Sequence, residues 1–293
     1  MKVAVIGTGL MGAPMASNLA RARHVTTVWN RSPEKAEALR SSGCVVAGSP
    51  AEAVADAEVV VSMLDSAAAT GAVFFAGEAI RAMKPKSVLV VMSSLSPAQS
   101  REHAVRCEAL GLGYVDAPVS GGPEGARNGA LAIMAGGSPE HFAAVAPMFA
   151  CLGRATHVGV VGCGQLAKLA NQAIVADTIT AVAEALMLAE RGGADPAKVC
   201  EALAGGFADS KILQMHGQRM ITRDFAKRGS VKNQLKDLEN IIAEAESFGL
   251  QLPVTARVRE LYRRLLADGH EGLDHSAAWV ELERINPPPG GKR

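Results

Sequence analysis

Near its N-terminus the chain reads Val3-Ala4-Val5-Ile6-Gly7-Thr8-Gly9-Leu10-Met11-Gly12. A short apolar run typical of buried strands leads directly into the pattern G-x-G-x-x-G, and a helical pattern follows from Ala13 to Arg21. In such a turn the first glycine allows the tight bend, the second lets a pyrophosphate approach the backbone, and the third lets helix and strand pack closely. Glycine triplets also occur by chance in a chain with 30 glycines. The strand before the loop and the helix after it therefore carry the prediction of a dinucleotide-binding unit.

The composition is that of a soluble globular enzyme. The chain has 293 residues, enough for one large domain or two ordinary ones, with 20% charged residues and a formal net charge of +1. This balance gives no sign of the basic surface of a nucleic-acid or membrane-binding protein. The first strand begins too early for a secretory signal, and no apolar run reaches the roughly 18 to 20 residues of a membrane helix. We therefore expect a cytoplasmic protein with neither nucleic acid nor membrane as a partner.

The five cysteines are odd in number and widely spaced. Their spacing matches neither a disulfide framework nor a zinc pattern, so we expect small buried side chains and no metal site.

Up to about residue 160, short apolar runs alternate with helical patterns. The runs are Val3 to Ile6, Val25 to Trp29, Val59 to Met63 and Val88 to Met92, with weaker ones at Gly113 to Val115 and Leu131 to Met134. Such alternation predicts parallel strands joined by crossover helices. We therefore expect residues 1–161 to form a Rossmann-type α/β domain with a doubly wound, mainly parallel sheet, whose ligands bind beyond the carboxyl ends of the strands.

After residue 161 the strand signals stop and helical patterns follow. Gln165 to Arg191 is one long apolar-rich helix ended by Gly192-Gly193. We expect residues 162–286 to form an all-α C-terminal domain around this long central helix, followed by a disordered tail at residues 287–293. Ala173 to Leu188 is apolar on more than one face, which indicates a helix packed on all sides or used between subunits. Of the two we favour a homo-oligomer, a homodimer or a homotetramer.

The second predicted strand ends at Trp29-Asn30-Arg31-Ser32. An acidic residue near this point would bind the ribose 2′-hydroxyl of NAD, whereas an arginine can pair with the 2′-phosphate of NADP. The acid is absent, so the turn points to NADP, with Arg31 as the cation and Asn30 and Ser32 as further donors. The alternative is that Arg31 is a solvated charge after a strand.

Two polar clusters stand out against the aliphatic background. Asp116 to Gly129 is rich in glycine, and its backbone N–H groups together with the Ser120 hydroxyl could hold a carboxylate; an ordinary long turn would have the same composition. Lys168, Asn171 and Gln172 share one helix face. Lysine on a helix is usually a solvated surface residue, but this one has apolar flanks, and partial burial would lower its pKa so that it could exchange protons near neutral pH.

The order of four motifs resembles the β-hydroxyacid dehydrogenase family, which includes 3-hydroxyisobutyrate dehydrogenase and several semialdehyde reductases. The resemblance covers the chain from Lys2 to about Glu283. The motifs are Gly7-x-Gly9-x-Met11-Gly12-x-x-Met15-x-x-Asn18-Leu19, Asp116-Ala117-Pro118-Val119-Ser120-Gly121-Gly122, Gly162-x-Gly164-x-x-x-Lys168-x-x-Asn171 and Lys236-Asp237-Leu238.

The resemblance implies an NAD(P)-dependent oxidoreductase that transfers a hydride between the nicotinamide and a short β-hydroxyacid or aldehyde acid. Lys168 would be the general acid and base, with Asn171 beside it. Ser120, Gly121 and Gly122 would bind the substrate carboxylate. Asn171 and Gln172 would bind and orient the substrate. The cofactor, NADPH in preference to NADH, would contact Gly7, Thr8, Gly9, Leu10, Met11, Gly12, Asn30, Arg31, Ser32, Met63, Leu64, Asp65, Ser94 and Lys236.

Three positions depart from the family pattern. Ser93-Ser94 replaces Ser-Thr and keeps a hydroxyl, and Gln172 replaces a second asparagine. Gly229 stands where many members carry a phenylalanine that closes over the substrate, although Phe225 could reach the same region from a shifted loop. Two other interpretations are a noncatalytic NADP-binding interaction protein and an imine reductase on the same scaffold, which typically replaces the helix lysine.

Overall fold

The computed structural model describes residues 1–77 and 79–287. The chain forms two compact units, one over Met1–Lys168 and one from Leu169 onward. Of the tail expected to be disordered, residues 288–293 lie outside the described residues.

The first unit is built on a mainly parallel sheet. Its strands in the described residues are β1 (Lys2–Ile6), β2 (Val25–Trp29), β3 (Val45–Val46), β4 (Val59–Ser62), β5 (Val88–Val91), β6 (Gly113–Asp116), β7 (Val119–Ser120), β8 (Leu131–Gly137) and β9 (Gly153–Gly159). They lie in the order β3-β2-β1-β4-β5-β6-β8-β7, and β9 pairs with β8. All pairings from β3 to β6 are parallel, whereas β8 is antiparallel to β6 and β7. The order reverses between β1 and β4, which is where a doubly wound sheet binds its ligand.

Helices cover both faces of this sheet. They are α1 (Gly12–Arg21), α2 (Pro33–Glu37), α3 (Pro50–Val54), α4 (Ala67–Thr70), α5 (Ala79–Ala82), α6 (Pro97–Glu108), α7 (Gly122–Arg127) and α8 (Pro139–Phe149). Alternate strand residues face opposite sides, so Val3 and Val5 join one apolar core and Ala4 and Ile6 join the other. Both faces of the central strands are therefore buried, which explains their near-continuous apolar sequences.

The regular elements of the second unit are helices in the residues that the structure describes. Helix α9 (Cys163–Arg191) contains the last six residues of the first unit and continues into the second. The remaining helices are α10 (Pro196–Leu203), α11 (Gln218–Thr222), α12 (Val231–Ser247), α13 (Pro253–Ala267) and α14 (Ala278–Ile285), with a π-helical turn at Leu213–Gly217 and a 3-10 turn at His275–Ala277. Their apolar faces meet in one core that contains Ile179, Leu238, Tyr262 and Trp279.

Helix α9 is also the part of the described chain that meets the length and hydropathy of a membrane span. Its most apolar window has a mean hydropathy of 1.4, and 39% of that window is buried inside the chain. The expectation that no segment is long and apolar enough was therefore too strict. A single helix of this kind is weak evidence for a membrane span, since the central helix of a globular protein has the same properties.

The predicted architecture, a Rossmann-type unit followed by a helical one, is confirmed. Three local features differ from the sequence interpretation. Residues 122–127 form α7 within the stretch expected to be a glycine-rich loop. The short strands β3 and β7 were not predicted. Strand β9 covers Gly153–Gly159, so it begins four residues before the short apolar run of the sequence from His157 to Val161.

Candidate active site

The glycine loop has the geometry that its three glycines predict. Gly7 has a φ of +99°, and a Cβ there would lie 2.4 Å from the Met63 carbonyl oxygen. A Cβ on Gly12 would lie 1.9 Å from the Gly7 carbonyl oxygen, so helix α1 packs directly against the turn. A Cβ on Gly9 would meet no atom within 4 Å. The first and third glycines are thus required by the fold, and the second leaves open space that suits a cofactor phosphate.

The turn after β2 braces this loop. The Thr8 backbone N–H donates to Asn30 Oδ1 over 3.0 Å, and Asn30 Nδ2 donates to the Ser32 carbonyl oxygen over 3.1 Å. The Asn30 amide is thereby engaged within the protein at both ends. The Arg31 side chain is exposed, and no ion pair joins it to the part of the chain that the structure describes.

The loops after β4 and β5 are joined by one buried serine. Ser93 Oγ accepts a hydrogen bond from the Leu64 N–H over 2.9 Å, while Ser94 is exposed at the same edge of the sheet. Met63 and Leu64 are half-buried and Asp65 is exposed. The structure therefore places these predicted cofactor residues beside the glycine loop, at the carboxyl ends of neighbouring strands.

The start of α9 is anchored to the same edge by two buried polar side chains. The Asp116 carboxylate accepts hydrogen bonds from the N–H groups of Gly162 and Gln165, both over 2.8 Å. The Gln165 side chain accepts from the Leu95 N–H over 3.0 Å and donates to the Ser93 carbonyl over 2.8 Å. Burial raises the pKa of Asp116 to about 6, and the backbone donors act in the opposite direction. These bonds fix the first turn of the helix that carries Lys168.

Gly164 explains why this helix starts so close to the sheet. A Cβ at this position would lie 2.4 Å from the Asp116 carbonyl oxygen and 2.5 Å from that of Met134. Only glycine allows such an approach of backbone to backbone. Gly164 in the motif Gly162-x-Gly164 is therefore needed for the close packing of the helix against the sheet. The sequence spacing between this motif and Lys168 did not predict that packing role.

The predicted carboxylate-binding residues, Ser120 to Gly122, run from the end of β7 to the start of α7. Ser120 is half-buried and ends β7, and Gly121 and Gly122 are exposed with φ values of +131° and +61°. These two positions favour glycine because side chains disfavour such backbone conformations.

Lys168 is half-buried and is the last residue of the first unit. One turn further along the helix, Asn171 Nδ2 donates to Gln172 Oε1 over 2.9 Å, and Gln172 Nε2 donates to Asp237 Oδ2 over 2.7 Å. The amide orientations of Asn171 and Gln172 are therefore fixed by a carboxylate on α12. The sequence interpretation gave Asp237 no role. Its position next to Lys236 in the fourth motif was the feature of the sequence that could have indicated one. Lys236 itself is exposed.

The position of Gly229 is filled from another element. A Cβ there would lie 2.8 Å from Cε1 of the His275 ring, so the imidazole occupies the space of a residue-229 side chain. Phe225 packs against the apolar core of the second unit. A larger residue at 229 would require His275 to move.

His216, Asp274 and His275 are the described residues whose possible metal-ligand atoms lie close together, within 4.8 Å. The Asp274 carboxylate already accepts bonds from Arg219 over 3.1 Å and from the Ser276 hydroxyl over 2.6 Å. Burial alone would raise its pKa, but the interactions of the carboxylate with His216 and Ser276 hold the pKa well below its usual value. The adjacent guanidinium would repel a metal ion, so we interpret this cluster as structural.

Comparisons with known proteins cover almost the whole chain. The family model for the NAD binding domain of 6-phosphogluconate dehydrogenase matches residues 2–164, and the model for the NAD-binding domain of NADP-dependent 3-hydroxyisobutyrate dehydrogenase matches residues 162–282. The 2-hydroxy-3-oxopropionate reductase of Escherichia coli is 43% identical over 97% of both chains. The 3-hydroxyisobutyrate dehydrogenase of Pseudomonas aeruginosa is 33% identical over 94% of this chain and 96% of its own. The solved structure of Mycobacterium tuberculosis 3-hydroxyisobutyrate dehydrogenase with L-serine has a TM-score of 0.87 at 29% identity, over 96% of this chain and 98% of that one.

Proposed function

The chain belongs to the β-hydroxyacid dehydrogenase family and is an NAD(P)-dependent oxidoreductase acting on CH–OH groups, and from this premise we propose that it is an NADP-dependent reductase of short aldehyde acids. The anchoring of Lys168 carries the proposal. Asp116 and Gln165 fix the first turn of α9 to the sheet edge that holds the predicted cofactor loops. The lysine is thereby held on a rigid element, as a catalytic group requires.

The cofactor preference rests on the turn after β2. The position that would carry an acid in an NAD site is Asn30, whose amide braces the glycine loop. Arg31 follows it as an exposed cation. A carboxylate would repel the 2′-phosphate of NADP, whereas a guanidinium binds it. The presence of Asn30 and Arg31 in place of an acid therefore favours NADPH over NADH.

The proposed reaction follows from what each side chain can supply. The nicotinamide would provide the hydride that reduces the aldehyde carbon. The Lys168 ammonium would deliver the proton to the oxygen of that carbon, where negative charge develops. The Ser120 hydroxyl and the N–H groups of Gly121 and Gly122 would hold the substrate carboxylate. Asn171 and Gln172, oriented by Asp237, would fix the substrate's position.

The high identity to the Escherichia coli enzyme suggests substrates of the 2-hydroxy-3-oxopropionate type. Incubation with NADPH and a panel of aldehyde acids, including 2-hydroxy-3-oxopropionate, glyoxylate and succinic semialdehyde, tests this suggestion. Cyclic imines in the same panel separate an aldehyde reductase from an imine reductase. Oxidation of NADPH by the imines alone would reject the proposal.

Replacement of Lys168 by alanine tests the catalytic assignment. We expect kcat to fall about 10²-fold to 10⁴-fold, the usual contribution of a positioned acid, while NADPH binding stays unchanged. Lys198→Ala is the matched control, since Lys198 is exposed and pairs only with Glu201 among the described residues. Nearly full activity of Lys168→Ala with the preferred substrate would show the assignment to be wrong.

We also propose that the protein is a homodimer or homotetramer. Ile174 and Leu188 are 66% and 76% exposed on α9, and Ala181 and Ala185 are exposed between them. These four residues form what we call the α9 stripe. They are seven, four and three residues apart, so they lie on one side of the helix. An apolar stripe of this kind is typical of a contact between subunits.

A further inference from the structure

A cavity of about 580 Å³ lies in the first unit, where the C-terminal ends of α1, α7 and α8 meet. Its lining residues are Asn18, Arg21, Ala22, Arg127, Asn128, Gly129, Ala150 and Cys151. The volume falls within the range of small-molecule sites, about 300 to 1,000 Å³. Helix α1 runs from the glycine loop to this cavity, a length of about 14 Å at 1.5 Å per residue. The cavity is therefore separate from the predicted cofactor loop.

The charges around the cavity are of one sign. Its lining includes two arginines, Arg21 and Arg127, and no aspartate or glutamate. Neither arginine forms an ion pair with any residue that the structure describes. Close by, burial and then the charge of the N-terminal ammonium lower the pKa of His24, whose Nε2 lies 3.4 Å from Cys151 Sγ.

Helix C-termini usually attract cations, because their last carbonyl groups are unsatisfied. Here the carbonyls are already engaged. Asn18 Nδ2 donates to the carbonyl of Ala126 over 2.8 Å and to that of Arg127 over 3.4 Å. The carbonyls of Asn18, Leu19 and Ala20 accept backbone N–H groups. The oxygen ligands that a metal ion would need are thus largely used. Of the guanidinium groups of Arg21 and Arg127, only Arg21 Nη1 donates a hydrogen bond within the described residues.

Asn18 holds the two arginine-bearing helices in place beside the cavity. It is only 7% exposed, and its Oδ1 accepts a hydrogen bond from Arg21 Nη1 over 3.0 Å. The same side chain joins α1 to the end of α7, from which Arg127 extends. The arginine of one helix and the end of the other are therefore held by one buried amide.

We propose that this cavity is a second ligand site, which binds a small phosphorylated molecule through Arg21 and Arg127. Guanidinium groups bind phosphate oxygens in a bidentate manner, and two of them suit a group with two negative charges. Asn128, exposed at the rim, adds an uncharged donor. The site is independent of the proposed reaction.

Calorimetry with inorganic pyrophosphate, on protein saturated with NADPH, tests this proposal. Saturation with NADPH blocks the glycine loop, where pyrophosphate could also bind. We expect the wild-type protein to bind one pyrophosphate per chain, and Arg21→Gln with Arg127→Gln to weaken that binding at least tenfold. Glutamine at position 21 retains a donor for Asn18, so the thermal midpoint and the NADPH affinity should not change.

Arg154→Gln with Arg257→Gln is the matched control. Both arginines are exposed, lie outside the cavity lining and form no ion pair with the described residues, so the net charge changes equally. We expect this variant to bind pyrophosphate within twofold of the wild type. Absence of binding to the wild-type protein would overturn the proposal, as would equal weakening in the two double variants. Neither result depends on which substrate the enzyme reduces.

Discussion

Arg31 and Asn30 follow the same strand, but only one of them is free to meet a cofactor phosphate. Asn30 is bonded to the glycine loop, and Arg31 is exposed. We expect Arg31→Ala to raise the KM for NADPH about tenfold to 100-fold, since a hydrogen bond to a charged group contributes about 1.5 to 3 kcal/mol. The KM for NADH should change less than twofold, because NADH lacks the 2′-phosphate. Equal effects on both cofactors would contradict the assignment.

Asp237 acts on the proposed substrate residues through Gln172. Removing the carboxylate leaves Gln172 Nε2 without this acceptor and loosens the orientation of Asn171. We expect Asp237→Ala to lower kcat/KM about tenfold. In a double-mutant cycle, Gln172→Ala should cost less in the Asp237→Ala background than in the wild type, with a coupling of about 0.5 to 3 kcal/mol. Strictly additive losses would show that the two residues act separately.

These residues also show what the sequence could predict. The glycine loop was predicted because each glycine acts within a few residues of its neighbours, and its close contacts are confirmed. Asp237 and Gln165 could not be assigned a role, because their partners lie 65 and 70 or more residues away. Such bonds depend on how distant elements approach each other, which local patterns do not record. The roles of Lys168 and Ser120 remain predictions.

At the scale of elements, the periodic segments were predicted best. Helix α9 ends at the predicted Arg191 and begins at Cys163, two residues before the predicted Gln165, and the main strands differ by a few residues at most. Strands β3 and β7 have two residues each, too short to show a period. Helix α7 was not predicted because glycine has a low helix propensity. In the structure, Gly121 and Gly122 have positive φ values at the start of this helix, a backbone conformation that glycine adopts readily.

The start of α9 gives a prediction that depends on pH. Because burial raises the pKa of Asp116 to about 6, the folded protein binds its proton more tightly than the unfolded chain, whose aspartates titrate near 3.9. The contribution of this group to stability is therefore complete below about pH 4 and declines as the pH rises through about 6.

Asp116→Asn removes this titration and keeps an oxygen that can accept the Gly162 N–H. We expect the free energy of unfolding of the wild type, minus that of the variant, to fall by up to about 3 kcal/mol between pH 4 and pH 7. Urea unfolding at half-unit steps of pH measures the difference. A difference that rises with pH would mean that the backbone donors outweigh burial.

At the scale of the whole molecule, the α9 stripe leaves apolar side chains exposed in a single chain of 30.3 kDa. Burying a large aliphatic side chain contributes about 1.5 to 3 kcal/mol, so Ile174 and Leu188 would each stabilise a subunit contact. We expect light scattering to give a mass two or four times that of one chain, and Ile174→Glu with Leu188→Glu to halve it at least. Val105→Glu is the control, because Val105 is also 66% exposed but lies on α6. A wild-type mass of one chain, or dissociation by the control as well, would contradict a contact through this stripe.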